Sequence, residues 1–224
     1  MSRRPPAALL FDLDGTLIDS APDLAGAAND LRARHGLPAL PFERLRPMVG
    51  AGARGMLGVA FEVAPGDSAF EALRTEFLAI YEARMLSLTA VFPAMLPLLA
   101  AWQAAGRPWG IVTNKHERFA HPVVAGLPAL AASGCLVAGD TTPHAKPHPA
   151  PLLEAARRLG VDPQDCAYVG DDLRDVQAGR AAGMATVAAA WGYLGDGEAV
   201  EDWGADAVCA DPQSLADWLE LLGR

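Results

Sequence analysis

Basic residues are in short supply. Lys and Arg number 18 against 27 Asp and Glu, leaving a formal charge of -9, and they form no stripe. Binding to a nucleic-acid backbone draws on clustered cations, so no nucleic-acid partner is expected. Long apolar runs are lacking as well. No segment approaches the ~20 uncharged apolar residues of a membrane span, and the N-terminal residues lead straight into an apolar strand without a small-residue cleavage site. No membrane partner is expected, and the expected location is cytoplasmic. There are only three cysteines, Cys135, Cys166 and Cys209. They share no metal-ligand or redox spacing, and their odd number fits a reducing compartment. Cys166, just before an apolar strand, reads as a small buried side chain. The histidines His116, His121, His144 and His148 match no zinc motif. His116 is placed to face substrate, and the other three are expected in water.

What is present is a folding chain. Its 224 residues are 51% hydrophobic and 20% charged, enough for one sizeable core or a core with a small insert. Ala7 to Phe11 is an apolar run ending at once in Asp12-Leu13-Asp14-Gly15-Thr16. A buried strand followed by glycine reads as the first strand of an α/β sheet, whose ligands gather beyond the strands' carboxyl ends. Residues 18–88 read as almost entirely helical, with Gly36 stopping the first helix and helical spacing over Phe70–Tyr81. From about 91 onward strands and helices alternate. Helices are expected over 96–105, 119–130, 150–159, 176–182 and 215–222, and strands over 109–112, 135–138, 166–169, 186–190 and 206–208. The expected fold is α/β, a Rossmann-like mostly parallel sheet with an inserted helical cap. Residues 1–17 and 89–224 would form the core and 18–88 the cap.

Four polar clusters stand at apolar strand ends or beside them: Asp12 with Asp14, Thr113-Asn114-Lys115, Lys146-Pro147, and Gly170-Asp171-Asp172 through Asp175. A lone D-x-D pair on a turn is ordinarily a solvated cap. Two carboxylates ending a buried strand are costly unless a cation, a hydrogen-bond network or a reaction needs them. Asp12 and Asp14 point the same way along an extended chain, so one metal ion or phosphoryl group can touch both. Taken singly, Thr113 could cap a helix, Lys146 could be a loop lysine, and Asp172 or Asp175 could be helix N-terminal carboxylates. Together the four clusters resemble the motifs of haloacid dehalogenase superfamily phosphatases: D-x-D-x-T after the first strand, Thr or Ser after the second, a Lys further on, then an acidic pair. The resemblance covers essentially the whole chain, and the helical insert resembles the cap of one subclass.

That resemblance implies a Mg²⁺-dependent phosphoric monoester hydrolase acting through an aspartyl-phosphate. Asp12 is the expected nucleophile and Asp14 the acid and base for the leaving alcohol and the attacking water. Thr113 and Lys146 are expected to hold transferring oxygens. Thr16 and Asn114 are expected at the substrate. Asp12, Asp14 (through its carbonyl) and Asp171 are the expected metal ligands, oxygen donors that suit Mg²⁺. Behind them Asp175 is expected to anchor Lys146 or a metal-bound water, and Asp172 to cap a helix or support the site. A halide leaving group needs no proton, so Asp14 points to an ester rather than a halide. In the cap, Arg54 within Met48–Gly55 is the candidate for a bidentate pair with a substrate carboxylate, against a plain surface arginine.

The overall pattern is similar to bacterial phosphoglycolate phosphatases. Gly52-Ala53-Arg54-Gly55-Met56, Phe70-Glu71-Ala72-Leu73-Arg74, Val112–Lys115 with Arg118-Phe119-Ala120, and Trp203-Gly204-Ala205-Asp206 are also similar to N-acetylmuramic acid 6-phosphate phosphatases. The expected partner is therefore a small phosphorylated metabolite bearing a carboxylate. The leading expectation is 2-phosphoglycolate, with the muramic acid ester second. A sugar phosphomutase and a non-catalytic phosphometabolite-binding protein are the remaining alternatives. A monomer or homodimer is expected.

Overall fold

The computed structural model describes residues 5–195 and 197–221. The expected boundaries at 1 and 222–224 fall on residues 1–4 and 222–224, outside the described range. Six strands form one parallel sheet in the order β5-β4-β1-β6-β7-β8. They are β1 (Ala8–Phe11), β4 (Trp109–Val112), β5 (Leu136–Val137), β6 (Cys166–Gly170), β7 (Ala185–Ala189) and β8 (Ala207–Cys209). β1 is central, with Phe11 in register with Ile111 on one side and Val169 on the other. All four of its residues are fully buried, which explains why it reads as a continuous apolar run.

Alternate β1 residues serve the two faces, as strand geometry requires. Leu9 and Phe11 pack with Met95, Leu98, Leu99 and Trp102 of α5 (Met95–Ala104), Val123 of α6 (Glu117–Gly126) and Leu215 of α9 (Pro212–Leu221). Ala8 and Leu10 pack with Leu152, Ala155 and Ala156 of α7 (Ala150–Leu159) and Ala178 of α8 (Leu173–Ala181). Each core helix found lies within a few residues of its expected span. The expected helix over 119–130 divides into α6 and a short 3-10 turn, Pro128–Leu130, with Pro122 inside α6. Proline removes an intrahelical hydrogen bond and shortens such a run.

Between β1 and β4 stand α1 (Ala21–Arg34), α2 (Phe42–Leu45), α3 (Gly52–Phe61) and α4 (Phe70–Arg84). They share a separate apolar cluster, including Leu24, Leu31, Met56, Leu57, Phe77 and Ile80, which Phe119 and Tyr193 join from the sheet side. The almost entirely helical span expected over 18–88 has a non-helical part at its start. Ile18–Asp19 is a short strand, β2, paired antiparallel with β3 (Ala90–Val91). Two residues carry no periodicity, and this ribbon exists because the outgoing and returning chains meet there. Asp23 fastens the junction: its Oδ2 accepts from the Leu88 and Thr89 amides at 2.9 and 2.8 Å and from the Thr89 hydroxyl at 2.9 Å.

Candidate active site

The parallel sheet places the carboxyl ends of β1, β4 and β6 side by side, and the polar clusters meet there. The Asp12 amide donates to the Val169 carbonyl at 2.9 Å, extending the β1–β6 ladder by one step into the site. Asp12, Asp171 and Asp175 each bring a carboxylate oxygen to within 4.8 Å of the others. Gly15 and Gly192 make this crowding possible. A Cβ at Gly15, whose φ is +85°, would lie 2.1 Å from Asp171 Oδ2, and one at Gly192 would lie 2.2 Å from Asp171 Cβ. No side chain fits at either place.

Asp171 is fixed on both oxygens, by the Thr16 hydroxyl at 2.8 Å and the Tyr193 amide at 2.7 Å. Thr16 thus orients an acid, is fully buried and lies outside the cavity lining, contrary to the expectation of a substrate contact. Burial, followed by the Asp12 and Asp175 carboxylates, pushes Asp171 well above the usual carboxylate range. Burial also pushes Asp175 up to about 6, with Lys146 pulling the other way. Clustered acids held in this state suit a divalent cation, and an all-oxygen donor set suits a hard one. The carboxylate cluster holds Asp12 and Asp171 of the expected ligands, and Asp14 was expected to contribute through its carbonyl rather than its side chain. Asp175 stands beside Asp12 and Asp171, whereas the Asp14 carboxylate turns elsewhere.

Lys146 ties the group together. Its ammonium lies 2.8 Å from Asp12 Oδ1, 2.7 Å from Asp175 Oδ1 and 2.8 Å from Tyr168 Oη. Burial opposes its charge, but Asp12 and Asp175 outweigh burial and keep it protonated. Asn114, expected at the substrate, lines the cavity but spends its amide on the Lys146 backbone, donating to its carbonyl at 3.0 Å and accepting from its amide at 2.9 Å. It is a brace between the loops after β4 and β5. Thr113 is nearly buried at the cavity wall, and its Oγ1 accepts from the Lys115 amide at 3.1 Å. That fixes the hydroxyl oxygen and leaves its proton to be donated. Asp172 is the N-cap of α8, in a reciprocal box with Asp175, and is held by Arg174 at 2.6 Å.

Asp14 accepts from the Ser20 hydroxyl at 2.5 Å and from Lys115 Nζ at 3.0 Å on both oxygens. Lys115 also lies 4.8 Å from the centre of the Tyr81 ring on α4. Lys115, Ser20, Tyr81, Tyr168 and Tyr193 belong to this neighbourhood and had no assigned role in the sequence. Lys115 carried a signal, its place in the Thr113-Asn114-Lys115 cluster. The others arrive through tertiary contact alone. His116 lines the cavity as the N-cap of α6, its Nε2 2.8 Å from Asp140. His121, His144 and His148 are exposed, and the three cysteines are buried and free.

A cavity of about 590 Å³ opens over these groups, floored by Asp12, Asp14, Thr113 and Lys146 and roofed by residues 49–53 and by Arg74, Leu78 and Tyr81 of α4. Arg54 is exposed and outside this lining. Its position on α3 turns it to solvent. Among the described residues no helix is long and apolar enough to cross a membrane.

Comparison with known proteins agrees with this geometry. The haloacid dehalogenase-like hydrolase family model matches residues 6–183. The chain is 46% identical over 213 residues to the phosphoglycolate phosphatase of Xanthomonas campestris pv. campestris, covering 95% of this chain and 96% of that one. It is 41% identical over 220 residues to the N-acetylmuramic acid 6-phosphate phosphatase of Pseudomonas aeruginosa, covering 98% and 97%. Among solved structures, a predicted phosphoglycolate phosphatase from Haemophilus somnus superposes with a TM-score of 0.82 at 25% identity, covering 96% and 98%. The fold, the converging motifs and these matches together establish that the chain belongs to the haloacid dehalogenase-like hydrolases.

Proposed function

We propose that this hydrolase is a Mg²⁺-dependent phosphoric monoester phosphatase acting through an aspartyl-phosphate on Asp12. We also propose that residues 18–88 are a cap over a core of 1–17 and 89–224. The observation that carries the reading is the convergence of Asp12, Thr113, Lys146 and Asp171 at one end of the sheet, beneath a cavity. Lys146 holds Asp12 Oδ1 and leaves the second carboxylate oxygen to attack phosphorus. As that O–P bond forms, the ester P–O bond breaks and the departing oxygen takes a proton from Asp14, which must first leave Lys115 and Ser20. In the second half Asp14 takes a proton from water as water attacks phosphorus and frees Asp12. The Thr113 hydroxyl and the Lys146 ammonium hold equatorial oxygens as charge shifts. Asp12, the Asp14 carbonyl and Asp171, with Asp175 beside them, would hold Mg²⁺, which would supply neutralising charge for the phosphoryl oxygens.

The substrate reading is 2-phosphoglycolate, supported by the names of relatives at 43–46% identity. A second reading, N-acetylmuramic acid 6-phosphate, is favoured by the cavity. Its volume of about 590 Å³ exceeds what a two-carbon ester fills and lies in the range of pockets for larger ligands, roughly 300–1,000 Å³. Both esters carry a carboxylate, as the sequence leads one to expect. Phosphate release with Mg²⁺, measured as kcat/KM for the two esters side by side, tests the proposal. A protein that releases phosphate from neither overturns both substrate readings.

A further inference from the structure

The cavity is lined by several cations, and nearly all are committed. Lys115 is spent on both oxygens of Asp14, and Lys146 on Asp12 and Asp175. Arg118 makes two hydrogen bonds to Glu82, Arg174 pairs with Asp172 and donates to the Gly50 carbonyl, and His116 sits on Asp140. Arg74 differs. Its acidic contact is Glu71 at 3.4 Å, one turn away on the same helix, with the two side chains 48% and 76% exposed. An exposed pair of that length holds a guanidinium weakly. Arg74 thus lines the cavity with most of its donor fork unspent.

Its place along α4 gives the distance. Arg74, Leu78 and Tyr81 stand at i, i+4 and i+7, one face of the helix, and all three line the cavity. Tyr81 marks the chemical end, because its ring lies against Lys115, which holds Asp14. Its hydroxyl is buried against the Lys115 ammonium, which is its polar partner at this end of the strip. Seven residues at 1.5 Å of rise put Arg74 about 10 Å further along the helix. The strip therefore runs from hydroxyl through aliphatic carbon to guanidinium. A two-carbon acid with its phosphorus at Asp12 is too short to reach the far end. A hexose-sized ester with a carboxylate on the opposite side of its ring reaches it.

We propose that Arg74 is the specificity-determining residue of this cavity, pairing bidentately with a carboxylate held about one sugar ring from the transferring phosphoryl group. The proposal rests on the phosphatase reading of the same site and selects the longer class of substrate within it. The test compares kcat/KM for N-acetylmuramic acid 6-phosphate and N-acetylglucosamine 6-phosphate, which share a ring and differ in the carboxylate-bearing ether. The parent protein is expected to favour the first by about tenfold or more, the scale of a charge-assisted pair. Arg74→Gln is expected to shrink that ratio to about twofold, mainly through KM, and Arg74→Lys to recover part of it, since an ammonium keeps charge but loses the fork. A parent without the preference, or an Arg74→Gln variant that keeps it, overturns the proposal. Phosphate release from p-nitrophenyl phosphate by the parent, absent in Asp12→Asn, checks the underlying reading separately. If that control succeeds while the sugar ratio fails, the arginine assignment alone is wrong.

Discussion

Lys146 answers two buried carboxylates at once, and its removal exposes what each costs. With Asp12 and Asp175 both within 2.8 Å of its ammonium, Lys146→Met leaves two acids in a buried site without a counter-charge. Breaking such an arrangement from one side typically costs about 3–5 kcal/mol. A drop of that order in urea denaturation, together with loss of phosphate release, is expected; a variant as stable as the parent would show that the ammonium contributes nothing net. Asp12→Asn acts oppositely on the fold. It removes one of the charges that push Asp171 up, so turnover should vanish while the thermal midpoint holds or rises. Lost activity with a collapsed midpoint would make Asp12 a structural residue first.

The same crowding has a pH signature. Asp175 is raised to about 6 and Asp171 moves in the same direction. A carboxyl with a folded value above its unfolded one contributes stability that is full below the unfolded value, near 4, and is lost as pH rises through the folded value. Metal binding requires the ionised acids and so strengthens over that window. The gap in melting temperature between Mg²⁺-loaded and chelated protein should widen from pH 4 to above pH 6. Melts at stepped pH check this, and a constant gap would mean the acids do not hold the metal. These acids were legible in sequence because each ends a strand or opens a helix at a recognisable spacing. The roles of Thr16 and Asn114 were not, because a hydroxyl or amide beside a site faces ligand or brace according to side-chain direction, which spacing does not encode.

At the scale of elements, α1 begins with a helper from far along the chain. Tyr193 Oη accepts from the Ser20 and Ala21 amides at 2.9 and 3.0 Å and donates to Asp19 Oδ1 at 2.6 Å. Ser20, the local N-cap residue, has its hydroxyl on Asp14 and makes no side-chain cap, so the tyrosine takes over that office. Tyr193→Phe leaves the Ser20 amide without its acceptor in a buried place, while the Ala21 amide keeps only the longer contact to Asp19 Oδ1 at 3.3 Å. A loss of about 1–3 kcal/mol follows from the usual cost of unpaired buried donors, measurable by chemical denaturation. A change under ~0.3 kcal/mol would mean that water replaces the hydroxyl. Sequence reading recovered the core helices and strands because apolar period and glycine stops mark them. It missed the β2–β3 ribbon and this remote cap, which depend on which segments the fold brings together. It named Arg54 and gave Arg74 no role: both are exposed and sit in helical stretches, and only the packed orientation of α3 and α4 puts Arg74 and not Arg54 at the cavity.

Charge on the whole molecule sets the terms on which an anionic ester arrives. The protein carries -9 formally, yet the cavity wall balances Asp12, Asp14, Asp171, Asp172 and Asp175 against Arg74, Lys115, Arg118, Lys146 and Arg174. The site is near neutral inside an acidic molecule, and the ion pairs that make it neutral leave little free positive potential for a phosphate dianion. A divalent cation at the aspartates turns that balance positive where the phosphoryl group must sit. Inorganic phosphate should therefore bind weakly without Mg²⁺ and at least tenfold more tightly with it. By thermodynamic reciprocity, phosphate should tighten Mg²⁺ binding by the same factor. Calorimetric titration in both orders measures the two factors independently. The thermodynamic cycle closes whatever the sites, so unequal factors would mean only that the titrations had not reached equilibrium. Phosphate binding indifferent to Mg²⁺ would mean that the five cations, not a metal, carry anion recognition, and would remove the metal from the proposed mechanism.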